Sequence, residues 1–220
     1  MMRKRVGIMG GTFDPIHIGH LILGESAYQQ FALDRILFMP SGNPPHKKHR
    51  DGGASNEERV EMVRRAIASN DHFELSLEEM HEQGYIYTKE TLRRLTEAHP
   101  DTDYYFILGA DSLINFETWN GPQEICRLCT IVVAVRDHMP MLELDKKITY
   151  LKEKYQADIR KLESLNIDIS SRTIRSWVAE GRSCRYYVPE SVIGYMKEQK
   201  IYQIRDGSSE RKNATVGESE

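Results

Sequence analysis

Two histidines that follow a pair of glycines are the residues of this sequence best suited to chemistry. His17 and His20 lie in the run GGTFDPIHIGH, residues 10–20, directly after an apolar stretch at 6–9. This order predicts a flexible glycine turn between a strand and a helix. Glycine lets the backbone approach a ligand closely, and the free N–H groups at a helix start favour an anion. A lone histidine would more simply cap the turn, but two imidazoles this close can both donate to phosphate oxygens.

A second polar group lies much later in the chain. Ser170 and Ser171 precede a helical pattern, and Arg175 follows within its first turns. Serine hydroxyls satisfy the unpaired N–H groups of a helix start, and a guanidinium offers a fork of donors suited to phosphate. An ordinary serine N-cap followed by a surface arginine is the plain alternative.

A carboxylate and an indole follow the apolar segment at 105–108. Asp111 comes just after this predicted strand, and Trp119 lies in a loop-like stretch beyond it. A carboxylate at the carboxyl end of a strand can accept from ribose hydroxyls, and an indole face can stack on a flat heteroaromatic ring. The alternative for the indole is an ordinary place in the core or at its rim.

Two further segments carry polar side chains that the residues alone do not assign to a ligand. His46 and Lys47 follow consecutive prolines, which stiffen a loop that is otherwise a solvated basic one. Thr88 opens a helical pattern, where a hydroxyl and an early carboxylate are normal capping chemistry.

Strand-like and helical segments alternate along the chain, which predicts an α/β fold: a parallel sheet with helices on both faces and ligands at the carboxyl ends of its strands. The last helix should begin at Pro189, and the polar run 206–220 cannot bury enough apolar area to order itself. We therefore predict one domain over 1–204 and a disordered tail over 205–220. The predicted strands are 6–9, 36–39, 73–77, 105–108 and 131–135, and the predicted helices are 20–32, 56–69, 88–98 and 143–156.

Composition limits the function classes. The 220 residues suit one domain, and a net charge of −3 gives no general attraction to nucleic acid. No apolar stretch approaches the roughly 20 residues that span a bilayer, and the basic start leads straight into a strand, so we expect a cytoplasmic protein without a membrane partner. Cys126 and Cys129 have the spacing of a metal or redox pair, but without a second pair we predict buried thiols.

The residues at 17–20 resemble the His-x-Gly-His signature of the nucleotidyltransferase superfamily. The longer run at 10–20 resembles, more narrowly, the bacterial nicotinate mononucleotide adenylyltransferases. The segment ISSRTIR at 169–175 is similar to their Ile-Ser-Ser-(Thr/Ser)-x-Ile-Arg motif, although Arg172 stands where Thr or Ser is usual. The likeness extends over residues 4–203 and implies a Rossmann-like, single nucleotidyltransferase domain.

This resemblance implies a reaction as well as a fold. The phosphate of nicotinate mononucleotide would attack the α-phosphorus of ATP, giving nicotinate adenine dinucleotide (deamido-NAD) and pyrophosphate. Mg²⁺ would be the cofactor, carried by the ATP phosphates and their water ligands rather than by a metal site of the protein. The partners are then small molecules, and the sequence leaves open whether the chain is a homo-oligomer.

The same resemblance implies roles for individual residues. The catalytic residues would be His17, His20 and Arg175. Thr88 would hold the pyridine carboxylate, Asp111 the nucleotide, and Trp119 the pyridine ring. The full predicted ATP site is Gly10, Gly11, Thr12, Phe13, His17, His20, Ser170, Ser171 and Arg175, and the predicted substrate site is Asp14, His46, Lys47, Thr88, Asp111 and Trp119.

Three alternatives stay open at this stage. A phosphopantetheine adenylyltransferase would be shorter and lack a tryptophan in the setting of Trp119. A nucleotide-binding regulator would bind ATP or a dinucleotide without turnover, although the intact histidine pair and Ser-Ser…Arg segment argue against lost catalysis. A class I aminoacyl-tRNA synthetase would need a Lys-Met-Ser-Lys-Ser segment, which this sequence lacks.

Overall fold

A six-stranded parallel sheet forms the centre of the protein. The computed structural model describes residues 3–42, 53–80, 86–135, 141–165 and 167–203. The strands lie in the order β3-β2-β1-β4-β5-β6, and every neighbouring pair is parallel. Chain order therefore reverses between β1 and β4, which is where open α/β sheets bind their ligands. The strands are β1 (Lys4–Gly11), β2 (Arg35–Pro40), β3 (Phe73–Leu75), β4 (Thr102–Gly109), β5 (Cys129–Ala134) and β6 (Ile159–Leu162).

Helices cover both faces of this sheet, as predicted. Successive strand residues point to opposite faces, so Ile8 and Phe106 pack in one hydrophobic core while Met9 and Ile107 pack in the other. Helices α1, α2, α7 and α8 contribute to the core that contains Met9, and α3 to α6 contribute to the second. The helices are α1 (Ile18–Gln30), α2 (Asn56–Ile67), α3 (Thr88–Ala98), α4 (Ala110–Ile114), α5 (Pro122–Leu128), α6 (Met141–Tyr155), α7 (Ser171–Ala179) and α8 (Glu190–Glu198), with a 3₁₀ helix at Phe116–Thr118.

Side-chain caps start two of the helices that border the site. Ser55 and Glu58 form a reciprocal capping box at α2, in which Ser55 N donates to the Glu58 carboxylate and Glu58 N donates to the Ser55 hydroxyl. Ser170 caps α7 by accepting a hydrogen bond from Thr173 N at 3.1 Å.

The structure corrects one expectation from the sequence and contains elements that were not predicted. Gly10 and Gly11 do not form a turn; they are the last residues of β1, in register with Met39 and Pro40 of β2. The edge strand β6 was not predicted, because its two central residues are charged and its apolar run is too short to show a pattern. Short helices α4 and α5 were also not predicted.

Three further expectations concern the cysteines, membrane-spanning helices and the segments at 46–47 and 205–220. Cys126 and Cys129 are buried, so the prediction of buried thiols is confirmed, and burial raises the pKa of the Cys126 thiol to about 11. Within the described ranges, none of the helices combines the length and apolar composition needed to cross a bilayer. His46, Lys47 and the tail 205–220 lie outside the described residues.

Candidate active site

Two adjoining cavities open at the point where chain order reverses. The larger, of about 1050 Å³, is lined by the β1–α1 segment, the start of α2 and the start of α7. The smaller, of about 540 Å³, is lined by the start of α3 and the residues around Trp119. The residues common to both walls include Gly10, Gly11, Thr12 and Asp111. Two ligands of nucleotide size could therefore meet above the end of β1.

The histidine pair lies in the larger cavity at the start of α1. His17 is the N-cap residue and only 4% exposed, and its ring stacks on that of His20 with centroids 3.7 Å apart. His17 N donates to His20 Nδ1 at 3.2 Å. Because Nδ1 is the acceptor, the proton of neutral His20 is on Nε2, so Nε2 is the donor atom of this ring.

The end of β1 is shaped for close approach. Gly10 lines both cavities, and a Cβ there would make an ordinary van der Waals contact with the Phe106 ring, at 3.7 Å. Phe13, three residues later, is buried and has a left-handed φ of 50°. Its ring meets His20 edge-on at 5.0 Å. Strained backbone of this kind is concentrated at functional sites, where the surrounding packing enforces it.

Helix α7 is tied to the β1–α1 segment by two hydrogen bonds. Arg175 Nη1 donates to the backbone oxygen of Asp14 at 2.5 Å and lies 3.4 Å from Asp14 Oδ2. Ser171 Oγ donates to the backbone oxygen of Pro15 at 2.9 Å. Ser170, Ser171, Arg172 and Arg175 all line the larger cavity. The two motifs singled out in the sequence are thus brought together, and their donors share one cavity with both histidines.

Arg59 is a buried residue of the site that the sequence reasoning missed. It is 4% exposed, and its guanidinium donates to Thr12 O at 2.6 Å, Ser41 O at 2.9 Å and Asn56 Oδ1 at 2.5 Å. Burial lowers the pKa of Arg59, and the charge of Asp14 opposes that shift. Its position on the buried face of α2 was the available signal, since a charge on an apolar stripe needs partners.

The smaller cavity collects the second set of predicted residues. Thr88 is the first residue of α3, and Trp119 packs against Phe106 and Phe116 with ring centroids 6.2 and 5.5 Å apart. Asp111 lies in the first turn of α4. The sequence reasoning missed Glu79, which lines this cavity and accepts from Thr91 Oγ1 at 3.0 Å; burial raises its pKa.

Three residues predicted to bind the substrate are not among the described residues that line the smaller cavity. His46 and Lys47 lie outside the described residues, so their roles stay predictions. Asp14 lines the larger cavity, but its Oδ1 already accepts from Ala54 N and from the Tyr202 hydroxyl. Among the described residues, no three His, Cys, Asp or Glu side chains gather in a way that could hold a metal ion.

Comparison with known proteins agrees with this geometry. Residues 8–176 match the cytidylyltransferase-like family model. A probable nicotinate-nucleotide adenylyltransferase of Lachnoclostridium phytofermentans is 43% identical, over 90% of this chain and 99% of that one. One from Desulfitobacterium hafniense strain Y51 is 41% identical over 91% of this chain and 97% of its own. In fold, the chain is similar to the Plasmodium falciparum nicotinic acid mononucleotide adenylyltransferase complexed with NaAD, with a TM-score of 0.71, 19% identity and coverage of 90% and 97%.

Proposed function

Since the chain belongs to the nicotinate-nucleotide adenylyltransferases of the cytidylyltransferase-like family, we propose that it transfers the AMP of ATP to nicotinate mononucleotide. The products are nicotinate adenine dinucleotide and pyrophosphate. The observation that carries the proposal is the pair of cavities that share a wall, which includes Gly10, Gly11, Thr12 and Trp119, with the phosphate donors of α1 and α7 in the larger cavity and the start of α3 in the smaller.

ATP would occupy the larger cavity, because the imidazoles, hydroxyls and guanidinium there are hydrogen-bond donors to phosphate. An oxygen of the mononucleotide phosphate attacks the α-phosphorus, and the bond from that phosphorus to the β-phosphate bridging oxygen breaks. Transfer of this kind asks the protein for alignment and for stabilisation of charge, so no covalent enzyme intermediate is needed.

The catalytic roles follow from the donors and their places. We assign His17 and His20 to the α-phosphate region, where His20 Nε2 donates as negative charge builds. Arg175 would stabilise the α- and β-phosphates, and Ser170 and Ser171 at the start of α7 would hold the end of the triphosphate. The backbone of 10–13 would let the nucleotide lie close against β1.

Mg²⁺ fits this site as a companion of ATP. The cavity presents phosphate donors, and the Asp14 carboxylate within it is already engaged by protein groups. The ion would therefore be held by phosphate oxygens and water, and when bound it neutralises charge on the triphosphate.

The pyridine nucleotide would occupy the smaller cavity. Trp119, which packs against two aromatic neighbours, would stack on the pyridine, and Thr88 at the start of α3 would bind the pyridine carboxylate. Asp111, on the wall common to both cavities, would accept from a ribose hydroxyl. Asp14, His46 and Lys47 complete the substrate-binding residues of the proposal. We keep two predictions from the sequence as part of the proposal: a single domain over 1–204 and a cytoplasmic location.

Pyrophosphate release from MgATP tests the proposal. Nicotinate mononucleotide, nicotinamide mononucleotide and phosphopantetheine are supplied in separate reactions, with a reaction lacking acceptor as the control. We expect a strong preference for nicotinate mononucleotide. Equal use of the amide would retain the reaction but contradict the carboxylate site at Thr88. If no pyrophosphate is released with any of the three acceptors, the proposal is refuted in favour of a nucleotide-binding protein without turnover.

A further inference from the structure

We propose that Tyr202, at the far end of the described chain, is a positioning residue for the phosphate site and acts through Asp14. The inference rests on the proposed function and extends it to a residue that itself lines neither cavity. No catalytic step is assigned to the phenol itself.

Tyr202 is anchored on both its backbone and its ring. It follows α8, has a left-handed φ of 63°, and is 9% exposed in the core that contains α1, α2 and α7. Its hydroxyl donates to Asp14 Oδ1 at 2.7 Å, across 188 positions of sequence. Burial, reinforced by the charge of Asp14, raises the pKa of Tyr202. The phenol therefore stays protonated and remains a donor throughout the neutral range.

Asp14 joins Tyr202 to the groups that face the phosphates. Its Oδ1 also accepts from Ala54 N at 3.0 Å, and its backbone oxygen accepts from Arg175 Nη1 at 2.5 Å. The neighbouring Pro15 oxygen accepts from Ser171. The orientation of Asp14 therefore sets where the start of α7 lies relative to the β1–α1 segment.

The charge of Asp14 explains why one hydroxyl matters to catalysis. A partly buried carboxylate needs donors, and here Tyr202 and Ala54 donate to Oδ1 while Oδ2 lies 3.4 Å from Arg175 Nη1. Without the phenol, Asp14 keeps one donor fewer on Oδ1 and depends more on Arg175. The guanidinium is then drawn toward the carboxylate and away from the cavity, where ATP needs it.

Tyr202→Phe tests the inference, with Tyr104→Phe as the matched control. Both tyrosines are buried and both hydroxyls donate a hydrogen bond; that of Tyr104 donates to Leu95 O at 3.2 Å, and Tyr104 lines neither cavity. Unfolding midpoints in urea and pyrophosphate release are measured for both variants, at a temperature where each is fully folded. We expect both to lose stability, but only Tyr202→Phe to lose about tenfold in kcat/KM for ATP.

A double variant shows whether the effect passes through Asp14. If it does, adding Tyr202→Phe to Asp14→Ala changes kcat/KM for ATP by less than about threefold. Equal kinetics for Tyr202→Phe and Tyr104→Phe would overturn the positioning role, as would full additivity with Asp14→Ala. Wild-type protein that releases no pyrophosphate would instead contradict the proposed function, so the two failures are distinguishable.

Discussion

Replacing His20 by Asn should separate the structural role of this histidine from its catalytic one. His20 Nδ1 accepts from His17 N at 3.2 Å, whereas Nε2 is the donor assigned to phosphate. The side-chain oxygen of Asn can take the place of Nδ1, but its amide nitrogen does not reach the place of Nε2. Replacement by Ala removes both functions. The Asn variant therefore keeps an acceptor for His17 N at the start of α1, and the Ala variant loses it. Both variants lose the Nε2 donor from the cavity.

The magnitudes follow from these contacts. Asn loses the ring contacts with His17 at 3.7 Å and Phe13 at 5.0 Å, and aromatic pairs contribute about 0.5–1.5 kcal/mol. Ala also leaves the His17 N–H without its acceptor, which at a helix start costs about a further 1 kcal/mol. Loss of a donor to developing negative charge lowers kcat by about 10²- to 10³-fold, equivalent to about 3–4 kcal/mol.

Urea unfolding and pyrophosphate release together provide the assay. Stability should fall in the order wild type, Asn, Ala, while kcat falls equally in the two variants and KM for ATP changes much less. A folded His20→Asn protein with kcat within about threefold of wild type would refute the role of Nε2. A kcat that instead tracks stability across both variants would show that His20 acts only by holding the helix.

Three further results are expected. Trp119→Ala should raise KM for nicotinate mononucleotide by about 5- to 150-fold in steady-state kinetics, since base stacking contributes about 1–3 kcal/mol, and an equal rise in KM for ATP would contradict the stacking role. Gly42→Ala should lose about 1–3 kcal/mol in urea unfolding, because its Cβ would collide with the Glu79 backbone oxygen, whereas a Cβ at Gly194 meets nothing within 4 Å and Gly194→Ala should lose none. Glu117 accepts from Lys147 and Lys154, whose hydrogen bonds lower its pKa from 4.5 to about 2. Its stabilisation is thus present above pH 4.5 and lost as pH falls toward 2, so Glu117→Gln should be less stable than wild type at pH 7 and equal to it near pH 2; a constant difference in unfolding midpoint would contradict this linkage.

The general architecture could be predicted because it is encoded locally. Apolar runs mark the central strands, and helical spacing marks the longer helices, so α3 begins and ends where the pattern indicates, at Thr88 and Ala98. Once the sheet is parallel, the carboxyl ends of its strands share one edge, and motifs that follow those ends must meet there. The assignment of segments 10–20 and 169–175 to one ATP site came instead from the family resemblance, because β6, the strand that precedes 169–175, was not predicted.

The missed features depend on tertiary contacts that no local pattern contains. The helical spacing of α2 could have marked Arg59 as buried, but only the folded loops supply the carbonyl oxygens of Thr12 and Ser41 that satisfy it. Tyr202 reads as the apolar end of a helix, yet its partner lies at Asp14. Strand β6 is specified by pairing with β5 rather than by its own charged centre. In each case the physical cause is a partner far away in sequence.

The position of the glycine pair changes how the site itself is understood. A turn would serve only to bend the chain toward α1, but Gly10 and Gly11 continue β1 and pair with β2. Both glycines line both cavities, and the nearest atoms to a Cβ at Gly10 would belong to Phe106, on the neighbouring strand β4. A Cβ at Gly11 would instead press on the Phe13 ring, at 3.1 Å. The two glycines therefore let the backbone of β1 form the wall common to both cavities, where in the proposed reaction a phosphate of one substrate reaches the phosphorus of the other.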